Sequence, residues 1–183
     1  MISPSLPLQQ LFMQLHYDER NNDEESFNAL DLLDYIYCIL HSAKYRKKYS
    51  DLLKSEFPKI PYPTDKNTFW EYVNLGKKLR ILHLMRDSYS EGYVQLQGNG
   101  ENIVEKAVFA DDAIYINKRQ YFSPVSEEIW NTFIAGYQPL QKWMKDRKNK
   151  QLSDVDIEHY CYMVEAIRKT VSVMREIDEI IKV

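Results

Sequence analysis

The residues best suited to chemistry lie between Ile114 and Lys150, where aromatic and basic side chains interleave: Tyr115, Lys118, Arg119, Tyr121, Phe122, Trp130, Tyr137, Lys142, Trp143, Lys145, Arg147, Lys148 and Lys150. Lysine and arginine neutralise phosphate, and amides such as Gln120 and Gln138 carry the paired donor and acceptor that can read a base edge. The same interleaving suits a core in which Lys and Arg stems cover Trp and Tyr rings. The residues alone leave both readings open.

Other candidate chemistry is thinner. Asp154, Asp156 and Glu158 resemble a metal-binding cluster, but their spacing fits the exposed first turn of a helix, where the macrodipole favours acids. Asp111 and Asp112 fall between two apolar strand-like runs and read as a turn rather than an acid/base dyad. His16, His41, His83 and His159 lie in different segments without ligand spacing, so structural roles are expected. Cys38 and Cys161 sit among apolar residues with no CxxC pattern, which predicts buried free thiols rather than a disulfide or zinc site. There is no G-x-x-x-x-G-K-[ST] loop to cradle phosphate, and no Asn/Asp-Pro-Pro-aromatic loop to hold a flipped base for amine methylation. No metal or catalytic residue is assigned.

The elements that must position the interleaved stretch are legible from periodicity. The 183 residues are 44% hydrophobic and 13% aromatic, enough for one good core, and only 5 are Gly. The expected fold class is α+β, mainly α: a helical N-terminal half, a small central antiparallel sheet and a long C-terminal helix. As a single 1–183 module it divides into a helical part over 1–85, a small β part over 86–125 and a helical part over 126–183. Asn22 or Asp23 is expected to cap a helix over 24–40, and a second helix over 43–54 sets Tyr45, Tyr49, Leu52 and Leu53 inward. After the proline-rich connector Phe57–Pro63, Thr64 or Asp65 caps a helix running to Met85, with Phe69, Val73, Leu79, Leu82 and Met85 inward and Gly76 marking close packing. From Tyr93 the period changes to that of short strands, separated by Gly98-Asn99-Gly100, Asp111-Asp112 and Asn117-Lys118-Arg119. Ser126 opens a helix through Phe133 that stops near Gly136, a further helix spans 140–148, and Ser153 with Asp156 starts the last one.

Net charge is −3, but it is unevenly spread. Residues 1–41 sum to −6, 42–80 to +6, 112–150 to +3, and 81–111 and 151–183 to −3 each. A polyanion would have to be met by two separated basic regions brought together by the fold. The start lacks a basic-then-apolar leader and no stretch approaches ~20 apolar residues, so a cytoplasmic protein is expected.

Several strings carry a resemblance: Tyr115-Ile-Asn-Lys-Arg-Gln-Tyr-Phe122, Ala135-Gly-Tyr-Gln138, Gln141-Lys-Trp-Met-Lys-Asp-Arg-Lys148 and Leu152-Ser-Asp-Val-Asp-Ile-Glu-His-Tyr160. Upstream, Asp34 to Tyr49 and Phe57 to Pro63 join them, so that the matches run in order over residues 34–178. The sequence resembles the C-terminal DNA-specificity domain of type ISP and type IIG single-chain restriction-modification enzymes. The family's Gly-Gly-Tyr-Gln stands here with Ala135 first, and residues 86–108 match no motif.

The resemblance implies a module that recognises double-stranded DNA and carries no catalytic centre. It also implies a larger parent polypeptide whose methyltransferase, and often nuclease and helicase, lie N-terminal to this segment and use S-adenosylmethionine and Mg; no cofactor is expected in this chain. The DNA-binding residues expected are Lys118, Arg119 and Gln120 at a hairpin turn, Gln138, and the cluster Lys142, Lys145, Arg147, Lys148 and Lys150. The competing reading is a structural or protein-interaction domain that docks the methyltransferase without touching DNA.

Overall fold

A computed structural model describes residues 16–17, 26–86 and 93–182. The elements in chain order are β1 (His16–Tyr17), β2 (Ser26–Phe27), α1 (Ala29–His41), α2 (Ala43–Lys48), α3 (Leu52–Ser55), α4 (Lys66–His83), β3 (Gln95–Gln97), β4 (Val108–Ala110), β5 (Ala113–Tyr115), β6 (Tyr121–Ser123), α5 (Glu127–Asn131), α6 (Pro139–Asp146) and α7 (Asp154–Ile180). The fold class is α+β, mainly α, with a four-stranded antiparallel sheet in the order β3-β6-β5-β4 and a long C-terminal helix. The chain divides into two compact units, residues 1–84 with 172–183, and residues 85–171.

In the first unit β1 and β2 pair in parallel, and α1 starts later than its periodicity suggests. Asn22 and Asp23 lie outside the described residues. The cap is Asn28, whose side chain accepts from the amides of Leu30 and Asp31 while Asp31 returns a bond to the Asn28 amide, a complete capping box. α1 and α4 pack so closely that a Cβ on Gly76 would stand 1.8 Å from the carbonyl oxygen of Asp34. This approach brings Arg80 onto the buried Asp34 carboxylate in a two-pronged ion pair at 2.6 and 2.9 Å. Tyr35 stacks between Phe69 and Tyr72, with centroids at 5.3 and 5.7 Å.

Two expectations for the helices over residues 43–85 need correction. The helix over 43–54 breaks into α2 and α3 around Tyr49–Ser50, because Ser42 caps Tyr45 at one end while the chain must turn towards the prolines; Leu52 is exposed as a result. Met85 lies beyond the end of α4 with a positive φ of 52° and is exposed, whereas Phe69, Val73, Leu79 and Leu82 are buried.

In the second unit the sheet, α5, α6 and the first part of α7 share one core centred on Ile114, Phe122, Leu140, Met144 and Tyr160. Asp111 and Asp112, at φ 49° and 52°, form the two-residue turn between β4 and β5 that matches strand twist. α5 stops at Asn131, not near Gly136, and Phe133 is exposed. The reason is a second tight turn: Ile134 and Tyr137 exchange backbone bonds at 2.9 and 3.2 Å around Ala135 and Gly136, both at positive φ. Ser153 and Asp156 cap each other and start α7.

Candidate nucleic-acid interface

The basic stretch enters the second unit through the β5–β6 connection. Asn117 accepts from the amides of Arg119 and Gln120 at 2.9 Å each, the side-chain turn that suits an asparagine at this position. Lys118 and Arg119 are thereby held at the exposed tip. Neighbouring loops press on this turn. A Cβ on Gly98 would lie 2.0 Å from the carbonyl oxygen of Arg119, and one on Gly100 2.4 Å from the Gln120 amide.

Gln120 departs from expectation. It is 2% exposed, and its Oε1 accepts from the Asn102 amide and from Asn117 Nδ2 while its Nε2 donates to Asn102 Oδ1. A side chain whose donor and acceptor both bind protein is not presented to a base edge, so Gln120 braces the turn instead. Asn102 and Asn117, the other members of this network, were not singled out from the sequence. Asn117 was legible as a turn residue, but Asn102 carries no local signal because its partner is far away in the chain.

The same segment gathers the second basic cluster. Val104 donates to the carbonyl of Lys150 at 3.0 Å, Asn149 donates to Val104 at 2.7 Å, and Asn117 Nδ2 donates to Ile103 at 3.0 Å. Residues 102–104 therefore tie the tip bearing Lys118 and Arg119 to the loop bearing Lys148 and Lys150.

α6 begins with Pro139 in its first turn, where a missing amide proton costs nothing, and buries Leu140, Trp143 and Met144. Lys142 and Lys145 face outward. Lys142 bonds Asp146 at 2.7 Å, and that bond holds the Asp146 carboxyl below the usual carboxylate range. Arg147 lies over the Trp143 ring at 3.6 Å and donates to Asp156 at 3.2 Å. Its charge is shared between an aromatic face and a helix-capping acid, a brace between α6 and α7. Bonds from Ser153, and then the Arg147 partner, draw the Asp156 carboxyl down. Gln138 is half-buried and bonds Asn131.

Of the nine expected residues, Lys118, Arg119, Lys142, Lys145, Lys148 and Lys150 present exposed charge, that of Lys142 paired with Asp146. Lys145 lies in the field of Asp146; the other four have no carboxylate partner among the described residues. Beside α6 runs an open cleft of about 690 Å³ lined by Trp130, Phe133, Tyr137, Gln138 and four lysines. The cleft went unread in the sequence because Phe133 and Tyr137 were set in and just after a helix; the Ala135-Gly136 pair was the available signal for a turn.

Cys38 and Cys161 are buried free thiols, and burial pushes Cys38 up to about 12. His41 and His83 pack against each other and Tyr37, and His159 lies against Trp143. Among the described residues no group of three or more His, Cys, Asp or Glu converges as a metal site would. No described helix is long and apolar enough to cross a membrane.

Fold and face together define a mainly helical α+β module whose exposed basic residues lie on the β5–β6 tip, on α6 and on the loop after it. The chain belongs to the family of Type ISP C-terminal specificity domains, whose model matches residues 9–182. It is similar in structure to a nuclease-deletion mutant of the Type ISP restriction-modification enzyme LlaGI in complex with a DNA substrate mimic, at TM-score 0.59 and 19% identity, covering 85% of this chain and 16% of that one. It is also similar to the ATP-dependent Type ISP restriction-modification enzyme LlaBIII bound to DNA, at TM-score 0.62 and 20% identity, covering 93% and 12%. A DrdV–DNA complex gives TM-score 0.63 and 17% identity, covering 83% and 18%. The chain thus spans less than a fifth of the length of each. Among curated proteins none matches.

Proposed function

We propose that this chain is the DNA-recognition module of a bacterial restriction-modification enzyme, acting on duplex DNA without a catalytic centre of its own. The observation that carries the reading is the family match across residues 9–182, joined by fold likeness to enzymes that are themselves described bound to DNA or to a DNA mimic. In this reading the remainder of a longer, cytoplasmic polypeptide supplies the methyltransferase and any nuclease, and S-adenosylmethionine and Mg bind there.

The contact residues proposed are Lys118 and Arg119 at the β5–β6 tip with Lys145, Lys148 and Lys150. Lys142 and Arg147 serve mainly to hold α6, since each already has a protein partner. Phosphate contacts release counterions, so affinity for duplex DNA should fall steeply as salt rises from about 50 to about 200 mM. Fluorescence anisotropy with a labelled duplex tests this. Affinity that is absent, or indifferent to salt, defeats the reading.

A further inference from the structure

The cleft beside α6 brings an aromatic surface and a basic one together. Its wall carries Trp130, Phe133 and Tyr137, of which Phe133 is 56% exposed and Tyr137 49%. The cleft is also lined by Lys106, Lys142, Lys145 and Lys148, against one acid, Asp146, which is bonded to Lys142. The aromatic pair is not loosely hung. Phe133 and Tyr137 flank the tight turn at Ala135-Gly136, closed by two backbone bonds, and Gln141 ties Trp130 and Asn131 to α6.

From this arrangement we infer that the cleft holds one unstacked nucleotide of the bound DNA, its base against Phe133 and Tyr137 and its phosphate on Lys145 and Lys148. The chemistry of the two surfaces selects this occupant. A peptide would need an apolar and an acidic side chain set side by side to answer both surfaces. A nucleotide offers an aromatic face and an adjoining negative charge, and every base has such a face, so the site needs no sequence preference. A cleft of about 690 Å³ is within the range that admits a ligand of that size. The inference rests on the DNA-recognition reading above and adds that the DNA does not remain fully stacked.

The test uses the 183-residue chain with two labelled probes, a fully paired duplex and the same duplex carrying one bulged thymine. The bulge has already lost its pairing, so the chain should bind it about tenfold more tightly than the paired duplex. Phe133→Ala should bring that ratio close to one, and Phe133→Trp should retain it. Phe133 is exposed, so these variants should fold; Tyr137→Ala supplies a second reading of the same wall. Paired duplex bound with no preference for the bulge overturns the cleft inference and leaves the DNA-recognition reading standing. Failure to bind either probe overturns both. A bulge preference that survives both Phe133→Ala and Tyr137→Ala puts the base elsewhere. Loss of association with the rest of the parent polypeptide in these variants, with the DNA ratio unchanged, makes the cleft a protein-docking groove and likewise overturns the inference.

Discussion

Gln120 and Asn102 bond each other in both directions: the Asn102 amide donates to Gln120 Oε1 at 2.9 Å, and Gln120 Nε2 donates to Asn102 Oδ1 at 2.6 Å. The pair joins two loops eighteen residues apart and converts the Lys118–Arg119 tip from a free hairpin end into a fixed mount. A contact residue held this way loses little entropy when it meets DNA, which is where rigidity contributes to affinity.

Gln120→Ala should therefore act on stability before it acts on recognition. It leaves the half-buried Asn102 amide and side chain without these partners, a loss of about 1–2 kcal/mol in denaturant unfolding. Any fall in DNA affinity should be shared by all duplex sequences. A loss confined to one base position, with stability intact, would return Gln120 to a base-reading role.

Ala135 stands at φ 50° in a turn whose other central residue is Gly136. A side chain in the left-handed region is disfavoured, and glycine is the residue that avoids the penalty. Ala135→Gly, which recreates the Gly-Gly-Tyr-Gln of the family, should stabilise the chain by about 1 kcal/mol. Thermal unfolding showing no gain would mean that flexibility in the unfolded chain cancels the relief.

The Asp34–Arg80 pair should be costly to break and cheap to replace. Asp34 is 1% exposed, so Asp34→Ala strands a guanidinium in the α1–α4 contact and should cost about 3–5 kcal/mol. Exchanging both partners for apolar residues, Asp34→Leu with Arg80→Met, should cost less than the single change. Equal losses in the two variants would show that packing, not charge, holds this contact.

His83 predicts a pH dependence. Burial, and then the neighbouring His41, lower it from 6.5 to about 4, so the folded chain keeps it neutral while the unfolded chain takes up a proton below pH 6.5. The contribution is fully present above 6.5 and is lost progressively as pH falls towards 4. The loss should be about 2 kcal/mol after allowance for partial exposure. His83→Phe should flatten this limb of the stability profile, and an unchanged limb would assign it to other groups.

Among the lysines, those without carboxylate partners should matter more to DNA. Lys148→Ala should weaken binding to all duplexes alike and lower the salt slope by about one unit, whereas Lys142→Ala should do less, because its charge is already shared with Asp146. Equal effects on the salt slope would argue that DNA displaces Asp146 from Lys142.

What the sequence determined by itself was whatever depends on neighbours along the chain. Helix spacing placed Phe69, Val73, Leu79 and Leu82 inward, the Asp111-Asp112 pair marked a hairpin turn, and Ser153 with Asp156 marked the start of α7. The alternation of aromatic and basic residues also marked the stretch of chain that carries exposed cations at Lys118, Arg119, Lys145, Lys148 and Lys150. Tertiary structure decided which of those side chains remain available. Gln120 is claimed by Asn102 and Arg147 by Asp156, so similar residue types in one stretch divide into braces and exposed cations. Periodicity could not make that division: Asn102 lies 18 residues from Gln120, and Asp156 lies 9 from Arg147 beyond the end of α6. The cleft followed the same logic, since Phe133 and Tyr137 come together only through a turn that interrupts the expected helix.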